Sequence, residues 1–152
     1  MNVDWLYLDK KAAAEKALKD FRTMQFILDH TDADIDRVYS RMEGVGSPLI
    51  GKMPSAHNPQ AGEDRMVNGI GEIDALRERQ RQAQEYMNWI LPAWNALDED
   101  ERFVLDCFYS GNQYGTGAAE MVADHFCIEP SSAHRKKARA LDHLTALLYG
   151  RW

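Results

Sequence analysis

Cysteine is scarce: Cys107 and Cys127 are the only two in 152 residues, too few for a disulfide framework, and a reduced setting explains them as small apolar side chains. Long apolar runs are missing too. The longest stretches without a charge, Tyr86–Leu97 and Cys107–Ala119, fall far short of the roughly 20 apolar residues of a bilayer-spanning helix. No membrane partner is therefore expected. Asp4 and Asp9 stand where a secretory signal would carry basic residues and an apolar core, so no export segment is expected and the location read from the sequence is intracellular. His125, Cys127 and His134 are the one hint of metal ligands. They match no zinc spacing, so no metal or cofactor is expected. Basic residues are also in deficit, 18 Lys and Arg against 24 Asp and Glu for a formal net charge of −6, which by itself argues against a nucleic-acid partner.

The distribution of charge reverses that argument. Within Glu129–Trp152 the bases are Arg135, Lys136, Lys137, Arg139 and Arg151, and the acids are Glu129 and Asp142, so this segment carries +3 and the rest of the chain −9. One small basic face sits on an acidic body. Hydrophobic residues make up 45% and charged residues 28%, an ordinary globular composition that excludes a wholly disordered chain. The length excludes two large domains.

Proline and glycine are absent from Asp9 to about Met42, where apolar residues recur at Leu18, Phe21, Ile27 or Leu28, Ile35, Val38 and Met42; the spacing predicts one long helix. His30-Thr31-Asp32 is a weaker patch with capping chemistry, and a continuous rod is favoured there. Gly44, Gly46, Pro48, Gly51, Pro54, Asn58, Pro59 and Gly62 then predict a loop over about 44–62. From Glu63 the pattern Met66, Ile70, Ile73, Leu76, Ala83, Met87, Ile90 predicts a second long helix with a charged outer face. Gly69 and Gly71 either allow close helix contact or mark a later start. Pro92 is expected to kink or end the helix near Leu91. The two helices should pair as an antiparallel hairpin.

Beyond Pro92 the elements shorten. Asp98-Glu99-Asp100-Glu101 opens a helix with acids in its first turn, and Phe103, Val104, Cys107 and Phe108 form its apolar stripe. Asn112–Gly117 reads as a turn, Ala118–Phe126 as a short helix, Cys127–Pro130 as a tight turn, and Ser131–Leu148 as the last helix with Ala133, Ala140, Leu141, Leu144 and Leu148 inward. The expected fold is all-α: residues 1–95 as a long antiparallel hairpin, then 96–152 as a three-helix module.

Val122 to Arg135 reads as a helix-turn-helix. Ala123 is small enough for the second helix to cross closely; Val122, Phe126 and Ile128 lock the pair; Ser131 and Ser132 open the second helix with hydroxyls and N–H groups suited to phosphate. His134, Arg135 and Arg139 project outward, where arginine and serine reach base edges or backbone oxygens. The plainer reading of the same residues is the solvated face of a terminal helix. A hydrolase reading of Ser131, His134 and Asp142 fails: His134 and Asp142 lie on one helix, and no nucleophile elbow or oxyanion motif accompanies the serine. No enzyme is expected. Tyr86, Trp89, Trp94 and Tyr109 read as packing residues rather than a base-stacking platform.

Leu97-Asp98-Glu99-Asp100-Glu101-Arg102-Phe103-Val104-Leu105, followed by Val122-Ala123, Phe126, Ile128, Ser131-Ser132-Ala133-His134-Arg135 and Arg139-Ala140-Leu141-Asp142-His143-Leu144, resembles the region-4 helix-turn-helix of sigma factors over about a third of the chain. Upstream, Leu18-Lys19-Asp20-Phe21, the Ser47-Pro48 loop and the charged helix from Glu63 to Asn95 are similar to small prophage regulators that join a helical hairpin to such a module, the late-gene activators of the ArpU and RinA type among them. The resemblance implies a DNA-binding transcriptional regulator of phage or prophage genes, acting in the cytoplasm of a bacterial host. Its recognition helix at about 131–148 would enter the major groove of double-stranded DNA through Ser131, Ser132, His134, Arg135, Lys136 and Arg139, and RNA polymerase is a further implied contact. One departure is Lys136, which stands where sigma-like helices place an aliphatic residue and can bury only its stem. The alternatives are a small-terminase-like DNA-packaging component and a helical protein–protein adaptor whose helix-turn-helix is vestigial. Trp5, Leu6, Leu8, Phe26, Val67 and Trp89 are many apolar residues to leave in water, and a homodimer through the hairpin is the expectation.

Overall fold

The computed structural model describes residues 8–43, 59–110 and 117–150. Trp5, Leu6, Arg151, residues 44–58 of the expected loop and residues 112–116 of the expected turn lie outside them. Five helices account for nearly all of the described chain: α1 Lys10–Glu43, α2 Pro59–Ala96, α3 Glu99–Tyr109, α4 Ala118–Phe126 and α5 Pro130–Tyr149. The all-α class read from the sequence is the class observed.

α1 is capped by Asp9, whose carboxylate accepts from the Ala12 N–H at 3.1 Å. It passes through the His30-Thr31-Asp32 patch without a break. The polar groups there are consumed in ways that leave the helix intact. The buried Thr31 hydroxyl donates to the Ile27 carbonyl, the His30 ring meets the Phe26 carbonyl oxygen at 2.9 Å, and Asp32 accepts from Gln80 at 3.0 Å.

α2 differs from the sequence expectation at both ends. It starts at Pro59, so Pro59–Gly62 are helical rather than loop; a proline at a helix start loses no hydrogen bond, because the first N–H groups have no intrahelical acceptor. The helix also continues past Pro92 to Ala96. An interior proline costs about 3 kcal/mol, and here it is flanked by buried Ile90, Ala93 and Leu97, whose removal from water offsets that cost. Both questioned glycines are therefore interior. Only Gly69 is in close contact: a Cβ built there would lie 2.5 Å from Met42 Sδ, whereas one at Gly71 would meet nothing within 4 Å.

The contacts divide the chain within both long helices, not at 95/96. One unit is Met24–Glu85; the other joins the chain up to Thr23 to everything from Tyr86 onward. In the first, Ile35, Val38 and Ile73 form a small core with Met42 and Leu76 against it. Arg41 pairs with Glu72 at 2.8 Å and Asp34 with Arg79 at 3.9 Å, so the segments run antiparallel. In the second unit, Ala14 and Leu18 from α1 and Ala93 and Leu97 from α2 share one core with Leu105, Tyr109, Ala140, Leu141 and Leu144. The three short helices are thus not a free-standing module, because their hydrophobic face is completed by the outer ends of the two long helices. Trp94 packs on this core and stacks with Phe21 at 6.3 Å; the Tyr86 hydroxyl donates to the Ala17 carbonyl. Trp89 touches Tyr86 and Tyr149 edge-on at 6.1 and 5.6 Å.

Candidate nucleic-acid interface

Asp98 starts α3 as its N-cap. Its carboxylate accepts from the Glu101 N–H at 2.7 Å while Glu101 accepts from the Asp98 N–H at 3.2 Å, a reciprocal capping box. Glu101 also meets Nδ1 of His143 on α5 at 2.8 Å, so the same carboxylate fixes the start of one helix and the roll of another.

α4 ends at Cys127, which adopts a left-handed conformation (φ 53°, ψ 48°) that glycine usually fills. The chain reverses through Ile128 N–H to Ala123 carbonyl at 2.9 Å. It re-enters helix at Glu129, whose extended backbone (φ −75°, ψ 152°) caps α5, with Pro130 in the first turn. Between the helices, Ala123 and Ala133 are 5% and 0% exposed and form one cluster with Val104 and Val122, flanked by Phe103, Phe108, Phe126 and Ile128. Small side chains at both positions of this shared cluster permit close approach: a larger one at either would push α4 and α5 apart.

With Ala133, Ala140, Leu141 and Leu144 buried, the opposite side of α5 is fixed by the helical repeat. Ser131, Arg135, Arg139 and Asp142 are all exposed and follow one another at intervals of four, four and three residues, which places them in a single stripe. The six residues expected at the interface are not equivalent. Ser131, His134, Arg135 and Arg139 are exposed, while Ser132 and Lys136 are half-buried. Lys136 lies to the side of the stripe with its ammonium 4.5 Å over the Phe126 ring, stem buried and charge at the margin. His134 sits 5.6 Å from Phe108. The start of α5 offers fewer free donors than two serines imply, because Pro130 has no N–H and the Ser132 N–H is bound to the Glu129 carbonyl at 2.9 Å.

Pairing separates the bases further. Lys16, Lys19, Arg37, Arg41, Arg79 and Arg81 are held in ion pairs with acids of their own or the neighbouring long helix. Lys137 lies over the Phe108 and Tyr109 rings at 5.0 and 5.3 Å. Arg135 and Arg139 make no ion pair with any described residue; Arg65 and Arg102 are alike in this, and Arg77 meets only the Tyr39 hydroxyl at 3.5 Å. Two of these five guanidiniums without an ion pair therefore fall one turn apart on the outer stripe of α5. Sequence reasoning found the stripe but not Lys11, whose ammonium reaches Asp142 at 3.1 Å; an exposed lysine far upstream carries no local signal of its partner.

Among the described residues no group of three His, Cys, Asp or Glu side chains could hold a metal ion, and no helix is long and apolar enough to cross a membrane. No family model, curated protein or solved structure matches the chain.

Proposed function

We propose that this protein is a double-stranded DNA-binding regulator of transcription, of the phage or prophage type, with α5 entering the major groove. The observation that carries the reading is the outer stripe of α5. Ser131, Arg135 and Arg139 stand exposed on the second helix of a close-packed helix-turn-helix, on a chain in which Lys11, Lys16, Lys19, Arg37, Arg41, Arg79 and Arg81 are each paired with an acid. Guanidiniums on such a helix can contact phosphate oxygens or bind the O6 and N7 edge of guanine. The acidic remainder of the chain repels DNA and favours approach by this face. In this reading residues of α1 and α2 mediate a homodimer that presents two recognition helices to a two-half-site operator, and RNA polymerase is a second partner. A role in DNA packaging would instead show as a ring of high order.

Selection of duplexes from random sequence, repeated at several salt concentrations, tests the proposal. The expected result is an enriched site whose affinity falls steeply with salt. Arg135→Ala should weaken that site by about 1–3 kcal/mol while leaving the melting curve unchanged. No enrichment, or binding without a salt slope, would overturn the reading in favour of a protein-binding adaptor.

A further inference from the structure

The stripe on α5 ends in an acid. Asp142 is exposed and lies three residues, about 4.5 Å along the axis, beyond Arg139. A bare carboxylate there has two effects on an approaching polyanion. It repels any phosphate held by Arg139, because the separation is well inside the Debye length of about 8 Å at physiological salt. It is also placed to take the Arg139 guanidinium for itself, since side chains three apart on a helix are neighbours. In the structure this carboxylate is not bare. The Asp142 carboxylate is bound by Lys11 of α1 at 3.1 Å, and Arg139 makes no ion pair with any described residue. Lys11 is itself free of its own helix's acids, whereas Lys16 and Lys19 bind Asp20 and Glu15 within α1 at 3.0 and 3.1 Å. As an exposed pair, with 53% and 64% of the two side chains open to solvent, Lys11 and Asp142 contribute little to stability.

We propose that Lys11 is a positioning residue of the nucleic-acid interface: by holding Asp142 it keeps the outer stripe of α5 cationic and leaves Arg139 free for phosphate. The inference rests on the DNA-binding reading above. α1 thereby carries a determinant of affinity for a surface that lies wholly on α5, and the determinant is electrostatic, so it acts on duplexes of any sequence.

The test is a charge cycle on the full chain, read by fluorescence anisotropy with a labelled random-sequence duplex at low and at physiological salt. Lys11→Ala should weaken binding by about three- to tenfold at low salt, with the difference shrinking as salt rises. Asp142→Asn should bind as tightly as the unaltered chain or more so, and Lys11→Ala with Asp142→Asn should return to it. Lys16→Ala, the same charge loss on the same helix, should change little, and melting curves should be unaltered throughout. If the double variant stays as weak as Lys11→Ala, the lysine meets phosphate directly and the role assigned through Asp142 is wrong. If Lys16→Ala weakens binding equally, the effect is one of net charge and the inference likewise fails. Unchanged binding in Lys11→Ala alongside loss in Arg135→Ala overturns the inference and leaves the DNA-binding reading standing, whereas no duplex binding by the unaltered chain overturns both.

Discussion

Replacing Ala123 by leucine probes the crossing on which the proposed interface depends. Ala123 is 5% exposed, and the surrounding cluster of Val104, Val122 and Ala133 is exposed by no more than 2% at any position. Leucine adds three carbons to a site with no solvent side on which to place them. Its own backbone is also pinned, because the Ala123 carbonyl accepts the Ile128 N–H at 2.9 Å in the turn. Relief must then come from α5 moving off α4 or from Phe126 and Ile128 leaving their positions. Overpacking of this kind costs about 1–3 kcal/mol. At roughly 2–4 °C per kcal/mol for a chain of this size, the melting temperature should fall by about 2–12 °C. Differential scanning calorimetry on the purified protein reads this directly, with Ala123→Ser as a small-residue control expected to shift it much less. A melting temperature unchanged in Ala123→Leu would mean that α4 and α5 do not meet at Ala123, and the placement of the α5 stripe would fall with it.

Tyr109 supplies a pH dependence. Burial pushes its phenol up to about 12, with the nearby negative Glu15 adding to the effect, and its hydroxyl has no hydrogen-bond partner among the described residues. A folded pKa above that of the unfolded chain means stability is fully present below about pH 10 and is lost as pH rises toward 12; denaturant titrations across that range should show the loss, and Tyr109→Phe should reduce it, the remainder coming from Tyr86 and Tyr149, whose phenols burial also raises. In α2, Gly71→Ala should stabilise by about 1 kcal/mol in chemical denaturation, because a helix interior favours alanine and the added Cβ meets open space. Gly69→Ala should gain less or nothing, since Met42 must move aside; equal gains would show that Met42 makes no real contact there. Light scattering at micromolar concentration should give a dimer mass, and a clean monomer would remove the homodimer and leave exposed Phe26, Met66, Val67 and Ile70 to another partner.

The amino-acid sequence alone determined the all-α class, the short helices and the inward face of α5. These are local properties: apolar spacing near 3.6, the Asp98–Glu101 cap and the tight turn at Cys127–Pro130 act over one or two helical turns. The outer stripe followed by elimination, since fixing Ala133, Ala140, Leu141 and Leu144 inside leaves Arg135 and Arg139 outside. Tertiary structure decided everything that depends on residues distant in sequence. Pro92 stays helical because burial of Ile90, Ala93 and Leu97 outweighs a local penalty. The three short helices are completed by Ala14 and Leu18, which in sequence look like any other apolar positions of a long rod. Lys136 lies to the side of the outer stripe, its ammonium over the Phe126 ring of α4. Which charges remain available was settled the same way. An ion pair between exposed side chains leaves no periodic mark, so only the fold could show that Lys11 is spent on Asp142 while Arg135 and Arg139 are left free.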